Sequence, residues 1–232
     1  GGNYRGLTNR LDLLLETYSY IGFRERVQVT YAFLRETLRH VADHGEAIVA
    51  MLGACTMPPE EIAVRYRLEA FPDREVEILT REPYTLQGDP VAVKVPYIGR
   101  FVAEHLVRRP WAYAVPEAIA RKLEGHGLRV ERPASRPMLD VEIPIVRSAE
   151  TEAGRKILES NTASHLEADL RRERRALPEG WALVPTEQQY GAIAVYLCEA
   201  GSDDGLLACG WIAEPAPGSE FPAWRVLSVP AS

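Results

Sequence analysis

Pro58-Pro59-Glu60-Glu61-Ile62-Ala63-Val64-Arg65-Tyr66-Arg67-Leu68-Glu69 is the stretch on which the fold turns. The paired prolines stop any helix that precedes them, because proline lacks an amide proton and fixes φ. From Ile62 the residues alternate with period two, the pattern of a strand. Upstream, Val27, Tyr31, Leu34, Leu38, Val41, Ile48 and Leu52 recur at three- and four-residue steps. Arg24, Glu25, Arg35, Glu36, Arg39 and Asp43 fall largely between them. This spacing predicts an amphipathic helix from roughly residue 24 to residue 53, with one buried stripe. Gly45 weakens its middle by about 1 kcal/mol relative to Ala, which allows a break there. The change of period places a domain boundary, dividing the chain into residues 1–57 and 58–232.

Downstream the strand pattern returns at Glu75–Leu79, Val91–Val95 and Phe101–Leu106. Pro116 opens a helix that Gly125 and Gly127 close. Further strands are predicted at Leu128–Glu131, Leu139–Val146, Trp181–Val184, Leu206–Trp211 and Trp224–Val229, with a helix at Gln188–Glu199. Leu166–Arg175 reads equally as a solvated strand or a short helix. Ahead of the long helix, Leu11-Asp12-Leu13-Leu14-Leu15 reads as a buried strand. Such a strand needs neighbours on both sides. Either later strands supply them or the segment packs against a sheet encoded upstream. The fold class is therefore α+β: an N-terminal strand and long helix, then a β-rich mixed domain.

Composition narrows the function. Apolar residues make up 46% of the 232 and charged residues 26%, which excludes wholesale disorder. Acidic residues outnumber basic ones, 33 to 27, arguing against a phosphate-backbone binder, so no nucleic-acid partner is expected. No apolar run approaches the length of a membrane span, and no secretory signal is visible, so no membrane partner is expected. Cys55, Cys198 and Cys209 are odd in number and form no CxxC pair, which leaves neither a disulfide framework nor a thiolate zinc site in prospect. The compartment stays open between cytoplasm and export.

Few residues have the spacing that chemistry needs. His40 and His44 lie four apart on one helix face, but Val-Ala-Asp between them is not the HExxH pattern, and two imidazoles leave a metal short of ligands. His105, His126 and His165 fall on separate elements. Asp203-Asp204-Gly205 lacks the alternating ligands of a calcium loop and reads as a turn. Glu16 differs, because it follows three leucines at the end of an apolar run. A carboxylate there either pairs with a cation such as Arg10 or Arg24, or sits at the carboxyl end of a sheet, where open α/β sheets bind ligands.

Asn3-Tyr4-Arg5-Gly6-Leu7-Thr8-Asn9-Arg10, then Leu13-Leu14-Leu15-Glu16-Thr17-Tyr18-Ser19-Tyr20, then Phe23 and Arg26-Val27, resembles the end of the catalytic domain in bacterial zinc carboxypeptidases of the carboxypeptidase A-like family. Weaker similarities to the extra C-terminal domain of some of these proteins occur at Arg109–Pro116, Pro178–Trp181, Val184–Gln188 and Tyr196–Glu199. In that family two histidines and a glutamate hold zinc, which polarises the scissile carbonyl and activates a water. A glutamate on a late strand serves as general base. The resemblance implies that Glu16 is that base, and that Tyr4 is the tyrosine that caps the bound peptide substrate. It also implies zinc ligands outside this chain, since no HxxE occurs in the 232 residues.

These readings lead to three expectations. The chain is the C-terminal portion of a metallocarboxypeptidase, inactive alone, carrying Glu16 but no metal ligand of its own. Alternatively, the part after Pro59 is a non-enzymatic β-rich binding module, for which Tyr66, Tyr84, Tyr97, Trp111, Trp181 and Trp224 would form a platform or simply a core. In either case the apolar N-terminal strand and helix stripe, left uncovered, would drive self-association or leave the N-terminal segment disordered.

Overall fold

The computed structural model describes residues 2–17, 21–80, 89, 91–156 and 162–229. Eleven elements follow in the order α1 (Gly2–Leu7), α2 (Phe23–Ala54), β1 (Glu61–Thr80), β2 (Val91–Arg108), β3 (Ala112–Pro116), α3 (Glu117–Gly125), β4 (Met138–Lys156), β5 (Thr162–Ala176), β6 (Trp181–Pro185), α4 (Gly191–Cys198) and β7 (Trp224–Val226). The fold is mixed helix and sheet, with a long helix near the N-terminus and a β-rich remainder.

The long helix agrees with its sequence pattern to within a residue at each end. The Gly22 amide donates to the Glu25 carboxylate at 2.7 Å, which satisfies one of the orphan donors at the helix start. The helix runs through Gly45 without interruption, and its cap residue Cys55 donates to Leu52 O at 3.2 Å ahead of Pro58. The expected burial is not found, for α2 contains no buried residue. The N-terminal strand is also absent. Leu11–Thr17 has no regular secondary structure, and Leu11, Leu13 and Leu14 are exposed. The reason is the lack of a partner, since strand geometry persists only where a neighbour takes up the backbone donors and acceptors. Among the described residues, no strand pairs with this segment.

The β-rich part contains two antiparallel sheets. β1 and β2 form a two-stranded arm, and five strands form the second sheet in the order β5-β4-β7-β3-β6. The two predicted strands at Ile62–Glu69 and Glu75–Leu79 are one strand, with register shifts between Glu69 and Glu75 where Pro72-Asp73 interrupts the alternation. The short β7 is the central strand of the larger sheet, and β3 lies between it and the edge strand β6. The β3 residues are apolar on both faces because both faces are covered. Tyr113 and Val115 join the larger core cluster with Ile119, Leu123, Ile193 and Val195 of α3 and α4, while Ala112 and Ala114 join Leu139, Val141, Leu183, Trp224 and Val226 opposite.

Two predicted strands are replaced by other structure. Leu206–Trp211 is a series of turns, closed by Cys209 N to Gly205 O, Gly210 N to Leu207 O and Trp211 N to Leu206 O. Gly210 adopts φ +65°, a backbone that breaks strand geometry. Within Leu128–Glu131 only Glu131 bridges, to Leu183. Leu166–Arg175 resolves as strand, within β5. The predicted helix over Gln188–Glu199 is shorter, Gly191–Cys198. The α3 terminus follows the glycine reading: Gly127, at φ +85°, donates to Glu124 O at 2.8 Å, and Leu128 donates to Leu123 O at 3.3 Å.

Candidate functional site

Glu16 lies in the irregular segment between α1 and α2, with its side chain exposed, directly after half-buried Leu15. Neighbouring Thr17 shares a hydroxyl contact of 2.9 Å with Thr30 of α2. Among the described residues Glu16 forms no ion pair, with Arg10 or Arg24 or any other cation. Tyr18, Ser19 and Tyr20 lie outside the described residues.

Tyr4, the second residue of the implied site, is well away from Glu16 in its contacts. Its hydroxyl meets His126 Nδ1 at 3.0 Å, and the two rings lie 5.5 Å apart. His126 in turn stacks on Trp211 at 5.8 Å, and Lys122 Nζ sits 4.8 Å from the centre of the Trp211 ring. Burial holds the His126 imidazole below its ordinary value, which favours the neutral ring. This cluster fastens α1 to the β-rich part. The Asn9 side chain ties the same segment to the end of α2 by donating to Cys55 O.

The histidine pair on α2 makes its contacts within its own helix. The His40 and His44 rings stack at 4.2 Å, and His44 Nδ1 lies 3.0 Å from the His40 carbonyl, so one ring nitrogen is engaged by backbone. Among the described residues no three His, Cys, Asp or Glu side chains gather where they would hold a metal ion. The aromatic side chains do not form one platform. Trp224 is buried against Trp181 at 4.6 Å, whereas Tyr97 stacks on Phe71 and Tyr66 meets Phe101 edge-on along the two-stranded arm. Tyr84 lies outside the described residues.

One cavity lies between the two sheets. A cleft of about 420 Å³ is bounded by the last turn of β2, by Pro144 and Arg147 of β4, by Leu166–Leu170 of β5 and by Glu199–Gly201 after α4. Arg225 of β7 also lines it. Arg225 is only 8% exposed and Glu199 only 6%. The Arg225 guanidinium donates to Glu199, to Glu142 Oε2 at 3.0 Å and to Arg108 O at 2.7 Å. The Tyr113 hydroxyl donates to the same Glu199 oxygen. Burial drives the Tyr113 phenol well above its ordinary value, and the Glu199 carboxylate pushes in the same direction. Burial opposes the charge on Arg225, yet Glu199 and Glu142 more than offset it and raise its affinity for the proton.

The rim is cationic. Arg65 donates to Gly201 O through Nε at 3.3 Å and Nη2 at 3.1 Å, while its acidic neighbour Asp203 is 3.9 Å away. Arg147 is paired with Glu167 at 2.9 Å. The Arg108 side chain is exposed and has no acidic partner within 4 Å among the described residues. Gly201 closes this end of the cleft tightly, because a Cβ there would sit 3.0 Å from His105 Nδ1 and 3.4 Å from Arg65 Nη2.

Sequence reasoning did not find this cluster, although one signal was available. Arg225 stands between Trp224 and Val226, and Glu199 follows Leu197-Cys198, so each is a charge set in an apolar run. That is the same feature that singled out Glu16. Comparison of the chain with protein families, with curated proteins and with solved structures found no match. No helix among the described residues is long and apolar enough to cross a membrane.

Proposed function

We propose that residues 1–57 form the C-terminal end of a zinc carboxypeptidase-like catalytic domain, and that residues 58–232 are its accessory α+β domain. One observation carries this reading beyond the sequence motif. The row Val27, Tyr31, Leu34, Leu38 and Val41 on α2 is open to solvent, as are Leu11, Leu13 and Leu14 beside it. Of these, Leu11, Leu13 and Val41 line a broad, largely apolar groove with Phe33, Ile48 and Met51, while Val27, Tyr31 and Leu34 line a second, smaller one beside Thr17 and Phe23. An apolar surface of this extent calls for a cover. The cover that fits the resemblance is the sheet of the same catalytic domain, with Leu11–Thr17 as its last strand and α2 as its closing helix.

On this reading Glu16 stands at the carboxyl end of the completed sheet. Its carboxylate takes a proton from the attacking water and returns it to the leaving amine of the peptide substrate. Zinc and its ligands belong to residues outside this chain. Tyr4 caps the substrate only after leaving His126.

The test is Glu16→Gln in the polypeptide joined to its zinc-bearing part. Release of C-terminal residues from peptides should fall by about 10²- to 10⁴-fold while bound zinc is unchanged. The 232-residue chain alone should hydrolyse nothing. Retention of most activity in Glu16→Gln removes the assignment.

A further inference from the structure

The cleft between the sheets has no part in the proposed hydrolysis, and its construction points to a ligand of its own. Its floor is built from two nine-tenths-buried charged side chains, Arg225 and Glu199, locked by Tyr113 and Glu142. A fixed floor of this kind keeps the surrounding walls from collapsing, at the cost of burying an ion pair. The walls then divide by chemistry. Leu106, Pro144, Leu166 and Leu170 supply hydrocarbon. Arg65, His105 and Arg108, on β1 and β2, supply donors.

The charge balance identifies the sign of the ligand. Arg225 is satisfied by Glu199 and Glu142, and Arg147 by Glu167. Arg108 has no such partner among the described residues, and Arg65 is held by a neutral carbonyl, with its carboxylate at 3.9 Å. Two guanidinium groups thus line one cleft, Arg65 with only a distant carboxylate and Arg108 with none among the described residues. The cavity volume falls within the range of small-molecule sites and exceeds what an inorganic anion fills. A planar guanidinium fork matches a carboxylate, and the leucine-lined wall matches an aliphatic body.

We propose that this cleft binds a small organic carboxylate with an apolar body, the chemistry of an acylated amino acid or a peptide's C-terminal residue, through Arg65 and Arg108. The proposal stands independently of the carboxypeptidase reading, since neither Glu16 nor zinc enters it.

N-acetyl-L-leucine is the probe, titrated into the 232-residue chain by calorimetry and by amide chemical-shift mapping. Saturable one-to-one binding is expected, with shifts concentrated at His105, Arg108 and Gly201. N-acetyl-L-leucinamide, which lacks the carboxylate, should bind about tenfold more weakly or worse, as should N-acetyl-L-leucine to Arg108→Gln. Arg108 is exposed and its backbone carbonyl, not its side chain, serves Arg225, so this variant keeps the fold. Gly201→Val, whose side chain would enter the space of His105 and Arg65, should abolish binding with an unchanged circular dichroism spectrum. Three results overturn the proposal: no saturable binding, equal binding of the amide, or inorganic phosphate binding as tightly as the carboxylate. Unchanged affinity in both Arg65→Gln and Arg108→Gln would also overturn it.

Discussion

The Tyr4 hydroxyl lies 3.0 Å from His126 Nδ1, joining a residue of the first helix to the end of the third across the predicted domain boundary. Which group donates depends on the imidazole tautomer, and what disfavours the charged ring is its burial. Burial lowers the His126 affinity for a proton below its usual 6.5. The unfolded chain therefore binds the proton first, and stability contributed above pH 6.5 is lost as the pH falls through the depressed value. Acidification should release α1 before the core unfolds. Protection against hydrogen exchange at the Thr8 and Asn9 amides, taken relative to the intrinsic rate at each pH, should fall below pH 6.5, and Tyr4→Phe should show the same low protection at neutral pH, with a stability loss of about 0.5–1.5 kcal/mol. Protection that is independent of pH and unchanged by Tyr4→Phe would show that the contact holds nothing in place.

Arg225 is the pivot of the cleft floor. Arg225→Met would leave Glu199 and Glu142 without their cation, Glu199 in a buried setting, and should cost about 3–5 kcal/mol. Adding Glu199→Leu should recover much of the loss, because the carboxylate left without its cation is the larger penalty. Thermal unfolding of the wild type, the single and the double variants measures this coupling. Equal destabilisation in the single and the double variants would mean that the two residues act separately.

The helices and most strands of the β-rich part are legible because their signals are local. Val27 to Leu52 repeats along one helical face whatever the helix packs on, and Ala112–Val115 is apolar on both faces whichever strands flank it. What resists reading is everything set by a partner. Leu11–Leu15 has the same letters whether a sheet covers it or solvent does. Glu199 and Arg225 are each conspicuous in an apolar run, but they become a pair only because β7 inserts between β3 and β4, a pairing that no spacing in the sequence encodes. Glu16 is the reverse case: the motif singles it out, and the fold leaves it exposed with no neighbour of matching chemistry among the described residues.

Tyr113 should shape the alkaline limit of the fold. Its phenol is fully buried and holds its proton well above the ordinary value of 10.0. The folded chain keeps that proton to higher pH than the unfolded chain, so stability present below pH 10 is lost as the pH climbs above it. Tyr113→Phe removes one donor to Glu199, at a cost of about 1–3 kcal/mol, but should flatten the alkaline limb of the stability profile. Denaturant melts between pH 8 and 11 compare the two slopes. Parallel slopes would assign the alkaline loss to other groups.

Gly191 is needed for close approach rather than for a left-handed backbone. A Cβ there would overlap the Thr186 carbonyl and come within 3.1 Å of Pro58 Cγ. The obstacle is backbone, which cannot rotate away as a side-chain tip does. The Gly191 amide donates to Gln188 O at 2.8 Å and starts α4, whose residues Ile193, Val195 and Leu197 are core. Gly191→Ala should therefore cost about 1–3 kcal/mol, despite the better helix propensity of alanine. A neutral or positive shift in melting temperature would show that the Thr186 loop yields.

The open face of α2 should determine how the chain behaves in solution without its covering sheet. Leu34 is 53% exposed and Leu38 69%, one turn apart. Removing a leucine side chain from water is worth about 1.5–3 kcal/mol, so a second copy that covers this face gains from each. The isolated chain should self-associate, with the apparent mass rising over the micromolar range. Leu34→Glu with Leu38→Glu should return it to a monomer without loss of thermal stability, because neither side chain is buried within the chain itself. Sedimentation equilibrium of the two proteins makes the comparison. A wild-type chain that stays monomeric at high concentration would remove the self-association proposal, and would weaken the argument that α2 is the closing helix of a larger domain.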